Sequence, residues 1–204
     1  MSNYQKYTTV VVGASAGGMK VIKELVTSLP ADFPMALIIV QHVSDSSDGS
    51  WAELLDGYSK IEVREADEKE SILPGTVYLA PANYHLLIES DHTFTLTVDE
   101  RVNYARPSID VLFETAADAY RESLIGIIYT GANFDGAKGL LRVKEAGGLT
   151  IVQDPVTAEA VAMPKAAIET TVPEYVLPPE EIIDLLKNLS LTANNPQPEK
   201  NSLT

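Results

Sequence analysis

Residues 8–18 read TTVVVGASAGG, and this stretch indicates the fold of the chain. Its first five residues are β-branched and predict a buried strand, which runs into a glycine-rich turn before an amphipathic helix. Gly13, Ser15 and Gly17 fit the G-x-S-x-G pattern of a nucleophile elbow, in which a tight strand-to-helix turn exposes a serine hydroxyl. We expect a side chain at Gly13 or Gly17 to collide with neighbouring backbone in so sharp a turn.

The glycine-rich turn alone leaves other functions open. A dinucleotide fingerprint, G-x-G-x-x-G, needs glycine where this chain has Ser15. It also favours an acidic residue after the second strand, where this chain has Gln41 and His42. Nucleotide binding therefore ranks below the other interpretations, while a plain turn with an incidental serine stays open beside the nucleophile.

Composition excludes several classes of protein. The 204 residues carry a net charge of −14, which argues against nucleic acid or anionic lipid as the main partner, and we interpret the charge as serving solubility. The chain has no cysteine, so disulfides, thiolate metal sites and a cysteine nucleophile are excluded. No apolar run is long enough to predict insertion into a membrane, and the first residues lack the apolar core of a signal peptide. We therefore expect a cytoplasmic protein.

Buried apolar runs alternate with amphipathic helices along the chain. This alternation predicts one α/β domain over residues 1–190, with a largely parallel sheet, a hairpin insertion and a disordered polar tail over 191–204. The predicted strands cover residues 8–12, 35–40, 61–66, 76–80, 85–89, 94–98, 124–129 and 149–152. The predicted helices cover residues 19–28, 51–58, 107–121, 137–146, 164–170 and 179–189.

Three polar residues follow three buried strands: Ser15, His42 and Asp135. The carboxyl ends of parallel strands share one edge of a sheet, so we expect these residues to converge there. They are the parts of a nucleophile–base–orienter relay, in which serine attacks an acyl carbon, histidine moves the proton and aspartate holds the imidazole.

Each member of this constellation has an ordinary structural alternative. His42 could be a satisfied polar residue at a strand end, and Asp135 could be the N-cap of a helix starting near Gly136. The order Ser…His…Asp also differs from that of α/β-hydrolases. A chance meeting of all three residues on one sheet edge is less expected than any single alternative.

Five segments together resemble the catalytic domain of CheB, the chemotaxis protein-glutamate methylesterase. They are GASAGG at 13–18, VQH at 40–42, LAPANYHL at 79–86, RPSIDVLF at 106–113 and TGANFDGA at 130–137. The similarity runs from about residue 8 to 189. It implies a mixed, mainly parallel doubly wound sheet of about seven strands, with helices on both faces.

The resemblance also implies a function. It makes Ser15, His42 and Asp135 a catalytic triad that hydrolyses glutamate γ-methyl esters on the cytoplasmic helices of methylated chemoreceptors, through an acyl-enzyme and without a cofactor. Related enzymes also deamidate particular glutamines. The backbone at Ala16 and Ala132 is implied as support for the oxyanion.

The chain departs from the family pattern around the site. Ala132 stands where methionine is usual, Ala16 where threonine is frequent, and Asn133 where glycine is usual, which bears on substrate choice more than on the chemistry. The typical enzyme has an amino-terminal receiver domain, whereas this chain starts at the first catalytic strand. We therefore expect no receiver domain here, with regulation absent or supplied by a separate receiver or methyltransferase protein.

Two other functions stay open at this level. One is a non-catalytic scaffold that binds receptor helices or a methyltransferase, and the other is an esterase or amidase with a substrate other than receptors. We interpret His85 as a structural hydrogen-bonding residue and His92 as solvated. Arg106 and Ser108 are interpreted as starting a helix rather than holding substrate. No metal-ligand spacing is present, so no metal site is predicted.

Overall fold

The computed structural model describes residues 6–43 and 50–191. Nine strands and six α-helices lie in these ranges. The strands are β1 (Thr9–Ala14), β2 (Ala36–Gln41), β3 (Glu62–Glu65), β4 (Thr76–Leu79), β5 (His85–Ile88), β6 (Phe94–Thr97), β7 (Leu124–Ile128), β8 (Leu149–Gln153) and β9 (Tyr175–Leu177). The helices are α1 (Gly18–Ser28), α2 (Ser50–Asp56), α3 (Ile109–Tyr120), α4 (Ala137–Glu145), α5 (Ala162–Thr171) and α6 (Pro179–Leu191).

Seven strands form one sheet in the order β3-β4-β2-β1-β7-β8-β9. All six pairings in this sheet are parallel, and the two described strands that pair antiparallel, β5 and β6, form a separate hairpin. The α/β class, the seven strands and the hairpin are thus confirmed. The mixed character implied for the sheet is not found among these strands.

The sheet separates two hydrophobic cores. One core packs α1, α2 and α6 on one face, around residues such as Ile22, Leu55 and Ile182. The other core packs α3, α4 and α5 together with the hairpin on the opposite face, around residues such as Phe113, Leu140 and Phe94. Strands β1, β2 and β7 are buried along their whole length, which explains their continuous apolar sequences.

The predicted elements match the observed ones to within a few residues at their ends. Sequence patterns missed β9, a three-residue edge strand over Tyr175–Leu177 that is too short to show a periodicity. The predicted tail over 191–204 falls outside the described ranges except for Leu191, which is the last residue of α6. Within those ranges no helix has the length and apolar character needed to cross a membrane.

Candidate active site

The three adjacent strands β2, β1 and β7 bring the predicted polar residues to one edge of the sheet. Ser15 directly follows β1, His42 directly follows β2, and Asp135 lies in the loop between β7 and α4. Strand β1 lies between β2 and β7, and the strands that follow β1 in sequence are added first on the β2 side and then on the β7 side. The site therefore lies where the strand order reverses. Ligands of open α/β sheets bind at such a position.

His42 and Asp135 are in direct contact. The Nε2 atom of His42 lies 2.9 Å from Oδ2 of Asp135, and the side chains are 14% and 0% exposed. When the carboxylate is ionised, Nε2 carries the proton that it donates, so a neutral ring keeps its lone pair on Nδ1. The pair therefore presents a base whose orientation is fixed by a buried anion.

Ser15 lines an open cleft with His42, Ala16 and Gly17. Its hydroxyl makes no hydrogen bond within the described part of the chain, so it is not bonded to His42 in this state. Nucleophile–base contacts are often longer in ligand-free proteins than in the reacting complex. The backbone N–H groups of Ala16 and Ala132 likewise have no protein acceptor among residues 6–43 and 50–191, which leaves two donors available near the turn.

The turn that carries Ser15 is held from both neighbouring strands. On the β7 side, the Ser15 N–H donates to the carbonyl of Thr130 at 2.9 Å, and the Thr130 hydroxyl donates to the carbonyl of Ala16 at 2.8 Å. On the β2 side, Nε2 of Gln41 donates to the carbonyls of Ser15 and His42, both at 2.9 Å. Gln41 thus joins the serine turn to the histidine, a role that sequence reasoning missed.

Asp135 is surrounded by hydrogen-bond donors. Besides His42, its carboxylate accepts bonds from Asn103 Nδ2 at 2.9 Å, the Ser108 hydroxyl at 2.8 Å and the N–H of Ile109 at 2.6 Å. Burial by itself would raise the pKa of this carboxyl. The bonds from His42, Asn103, Ile109 and Ser108 outweigh burial and hold the pKa below its ordinary value, so Asp135 is an anion at neutral pH.

This carboxylate lies at the amino end of α3, not of the helix that follows it in sequence. It receives the N–H groups of Ile109 and Asp110 in the first turn of α3, where unpaired donors and the helix dipole favour an anion. Helix α4 starts from Gly136 without a side-chain cap. The alternative that Asp135 only caps its own helix is therefore wrong, because the capped helix is α3.

A second buried carboxylate lies beside the first. Asp110 accepts the N–H of Gly139 at 2.7 Å and the Nδ2 of Asn103 at 2.8 Å. Burial, aided by the negative charge of Asp135, raises the pKa of Asp110, although the bonds from Gly139 and Asn103 act in the opposite direction. One amide, that of Asn103, therefore bridges two carboxylates.

Two glycines of the turn are needed, but for a different reason from the one predicted. A Cβ on Gly13 would lie 2.4 Å from Cγ2 of Ile109, and a Cβ on Gly17 would lie 2.7 Å from Cβ of Glu159. Both collisions are with side chains of other elements, not with the local backbone. Gly17 also has a φ of 79°, which L side chains rarely adopt.

The other candidate residues have structural partners. His85 is buried, its Nδ1 accepts the N–H of Ser108 at 3.2 Å, and its Nε2 lies 3.0 Å from the carbonyl of Glu100. His92 is exposed and stacks on Tyr120 with 4.3 Å between ring centres. In residues 6–43 and 50–191, no group of three or more His, Cys, Asp or Glu side chains is arranged to hold a metal ion.

Arg106 and Ser108 differ in their hydrogen-bond partners. Arg106 donates to the carbonyls of Val98 and Asp99 and so holds a loop, whereas Ser108 both precedes α3 and bonds to Asp135. Sequence reasoning missed Asn103 altogether. The only signal there is an asparagine in a short polar segment, which is typical of a tight turn.

Comparisons with known proteins show which family the chain resembles. The model of the family described as CheB methylesterase matches residues 10–186. A putative protein-glutamate methylesterase/protein-glutamine glutaminase of Leptospira interrogans is 52% identical over 189 residues, covering 93% of this chain and 97% of that protein. A protein-glutamate methylesterase/protein-glutamine glutaminase of Thermotoga maritima is 36% identical, and the match covers 87% of this chain but 54% of the relative.

A solved structure matches as well. The crystal structure of the Thermotoga maritima CheB methylesterase catalytic domain superposes with a TM-score of 0.86 at 35% sequence identity. The match covers 90% of this chain and 98% of the solved chain.

Proposed function

The chain belongs to the CheB methylesterase family, and on that premise we propose that it hydrolyses glutamate γ-methyl esters on chemoreceptor helices. Ser15 is the nucleophile and His42 is the general base and acid. Asp135 orients the imidazole and stabilises the imidazolium that forms during the reaction. The same relay deamidates glutamine, with ammonia as the leaving group in place of methanol. The reaction takes place in the cytoplasm, where the receptor signalling helices lie.

The first half of the reaction forms an acyl-enzyme. Ser15 Oγ bonds to the γ-carbonyl carbon of the ester while its proton passes to Nδ1 of His42, the nitrogen not used by Asp135. The tetrahedral intermediate collapses as the bond between the carbonyl carbon and the methoxy oxygen breaks. His42 returns the proton to that oxygen, and methanol leaves.

The second half regenerates the enzyme. Water attacks the acyl carbon of the Ser15 ester and gives its proton to His42. The acyl–Oγ bond breaks, the proton returns to Ser15, and a glutamate carboxylate is released. In both halves the N–H groups of Ala16 and Ala132 stabilise the oxyanion, and the amino end of α1 adds a positive dipole.

One observation carries this proposal. The 2.9 Å contact between His42 and the buried anion of Asp135 opens onto the same cleft as Ser15. A strand-end histidine serving only structure would not need a carboxylate held by several donors. The N–H groups of Ala16 and Ala132, which have no acceptor in the part of the chain that the structure describes, provide the donors that acyl transfer requires.

The proposal is tested by methanol release from methylated chemoreceptor membranes. We expect release with the wild-type protein and its loss, by about 10³-fold or more, in Ser15→Ala. Ser59→Ala is the matched control, because that serine lies outside the cleft. Folded wild-type protein that releases no methanol from several receptors would overturn the proposal in favour of a scaffold or another acyl substrate.

A further inference from the structure

We propose that Tyr104 is a substrate-contacting residue, whose ring packs against the polypeptide that presents the scissile ester. This inference rests on the proposed function and adds a binding surface to it. Three features of the turn that carries Tyr104 support it: its attachment to Asp135, its backbone conformation and the exposure of the ring.

The turn is a two-residue hairpin. The N–H of Val102 donates to the carbonyl of Ala105 at 3.1 Å, and the N–H of Ala105 donates back at 2.9 Å. The two central residues, Asn103 and Tyr104, have φ values of 50° and 65°. Such a turn needs positive φ at both positions, which explains an asparagine at the first but favours glycine at the second.

A tyrosine in this conformation is unfavourable, since its Cβ crowds the backbone when φ is positive. A fold that needed only the turn would be served better by glycine or asparagine at position 104. Strained bulky residues of this kind concentrate at functional sites, where the surrounding structure holds them. The turn alone therefore does not account for a tyrosine at position 104.

The two central side chains of the turn have different surroundings. Asn103 donates to Asp135 at 2.9 Å and to Asp110 at 2.8 Å, which fixes the turn to the buried anion of the triad. Tyr104 is 91% exposed. A small cavity of about 140 Å³ lies between this turn and His42. The backbone of Tyr104 is thus held by the turn, and its side chain lines the same cavity as His42.

A large partner fits this ring better than a small ligand. The cavity is smaller than the roughly 300–1,000 Å³ of pockets that enclose small molecules. An almost fully exposed aromatic ring is covered only when another macromolecular surface packs over it, and tyrosine is enriched at such surfaces. The partner that reaches this place during catalysis is the polypeptide on both sides of the esterified glutamate.

The test compares Tyr104→Asn, which removes the ring but suits positive φ, with Tyr104→Phe, which keeps the ring. For methanol release from methylated chemoreceptor membranes, we expect KM to rise about tenfold in Tyr104→Asn with little change in kcat. Tyr104→Phe should stay within about threefold of wild type. Tyr58→Asn is the control, because Tyr58 is exposed on a loop away from the cleft.

Two further readouts separate contact with substrate from damage to the protein. Labelling of Ser15 by a small alkyl fluorophosphonate should proceed at the wild-type rate in Tyr104→Asn, and its Tm should be no lower than that of wild type. An unchanged KM for receptor, or labelling that slows in parallel with methanol release, would overturn the inference alone. Lack of methanol release by the wild type would overturn the proposed function, and this inference with it.

Discussion

Asp110 and Asp135 each accept a backbone N–H from the helix that begins beside the other. Asp135, just before α4, accepts the N–H of Ile109 in α3 at 2.6 Å, and Asp110, in α3, accepts the N–H of Gly139 in α4 at 2.7 Å. These two hydrogen bonds connect the amino ends of α3 and α4. The orientation of the carboxylate that meets His42 therefore depends on the packing of α3 against α4.

Replacement of Asp110 tests how much this connection between α3 and α4 stabilises the protein. Asp110→Ala leaves the Gly139 N–H and an Asn103 N–H without their acceptor, so we expect the free energy of unfolding to fall by about 2–4 kcal/mol. Asp110→Asn keeps one acceptor oxygen and should lose less. Urea denaturation measures both. Asp118→Ala, on the exposed side of the same helix, should stay within about 0.5 kcal/mol of wild type, and an equal loss there would contradict the assignment.

The pKa values of Asp135 and Asp110 are shifted in opposite directions, so their effects on the free energy of unfolding depend on pH in opposite ways. The pKa of Asp135 is lower in the folded than in the unfolded protein. Its ionised form therefore stabilises the fold above the ordinary pKa of 3.8, and this stabilisation is lost as the pH falls through the lowered pKa. The pKa of Asp110 is higher in the folded than in the unfolded protein. Its protonated form therefore stabilises the fold fully below pH 3.8, and this stabilisation is lost as the pH rises through the raised pKa.

Denaturation between pH 2 and 6 distinguishes these contributions. The difference in unfolding free energy between wild type and Asp135→Asn should increase with pH below about 4. The difference between wild type and Asp110→Asn should decrease with pH above about 4. Parallel curves for the two variants would show that the carboxylates do not titrate as the geometry requires.

Gln41 offers a sharp test of how Ser15 and His42 are joined. Gln41→Glu keeps the shape but turns a buried donor to two carbonyl oxygens into an acceptor, so we expect methanol release to fall at least about tenfold. Gln153→Glu is the matched control. The side-chain oxygen of Gln153 accepts the N–H of Thr130 at 2.9 Å, and a carboxylate can do the same. Equal losses in both variants would contradict the role of Gln41.

Gly13 tests the packing under the serine turn. A Cβ there would lie 2.4 Å from Cγ2 of Ile109, so Gly13→Ala should destabilise the protein by about 1–3 kcal/mol. Ile109→Ala removes the colliding methyl group, and the double variant should lose less than the sum of the two single losses. Additive losses in this double-mutant cycle would place the cost of Gly13→Ala elsewhere.

The sequence predicted the part of the site that follows from strand order. Ser15, His42 and Asp135 each follow a long buried strand, and the carboxyl ends of parallel strands meet at one edge whatever the loops do. The chemistry of serine, histidine and aspartate then suggested a relay. None of this required knowledge of a contact distant in sequence.

The support of the triad could not be predicted in the same way. Local capping rules assign Asp135 to α4, whereas its backbone partner in α3 lies 26 positions earlier. Asn103 and Tyr104 stand in a segment without hydrophobic periodicity, so no pattern pointed to them. The turn has positive φ angles, and Asn103 contacts Asp110 and Asp135, which are distant in sequence from any local signal.

If His42 and Asp135 activate Ser15, an alkyl fluorophosphonate labels that serine, and peptide mass spectrometry locates the adduct. We expect one adduct, on Ser15, in the wild type, and labelling slower by at least about 10²-fold in folded His42→Ala. A wild-type protein that releases methanol but is labelled elsewhere, or labelling of Ser15 that is equally fast without His42, would contradict this activation.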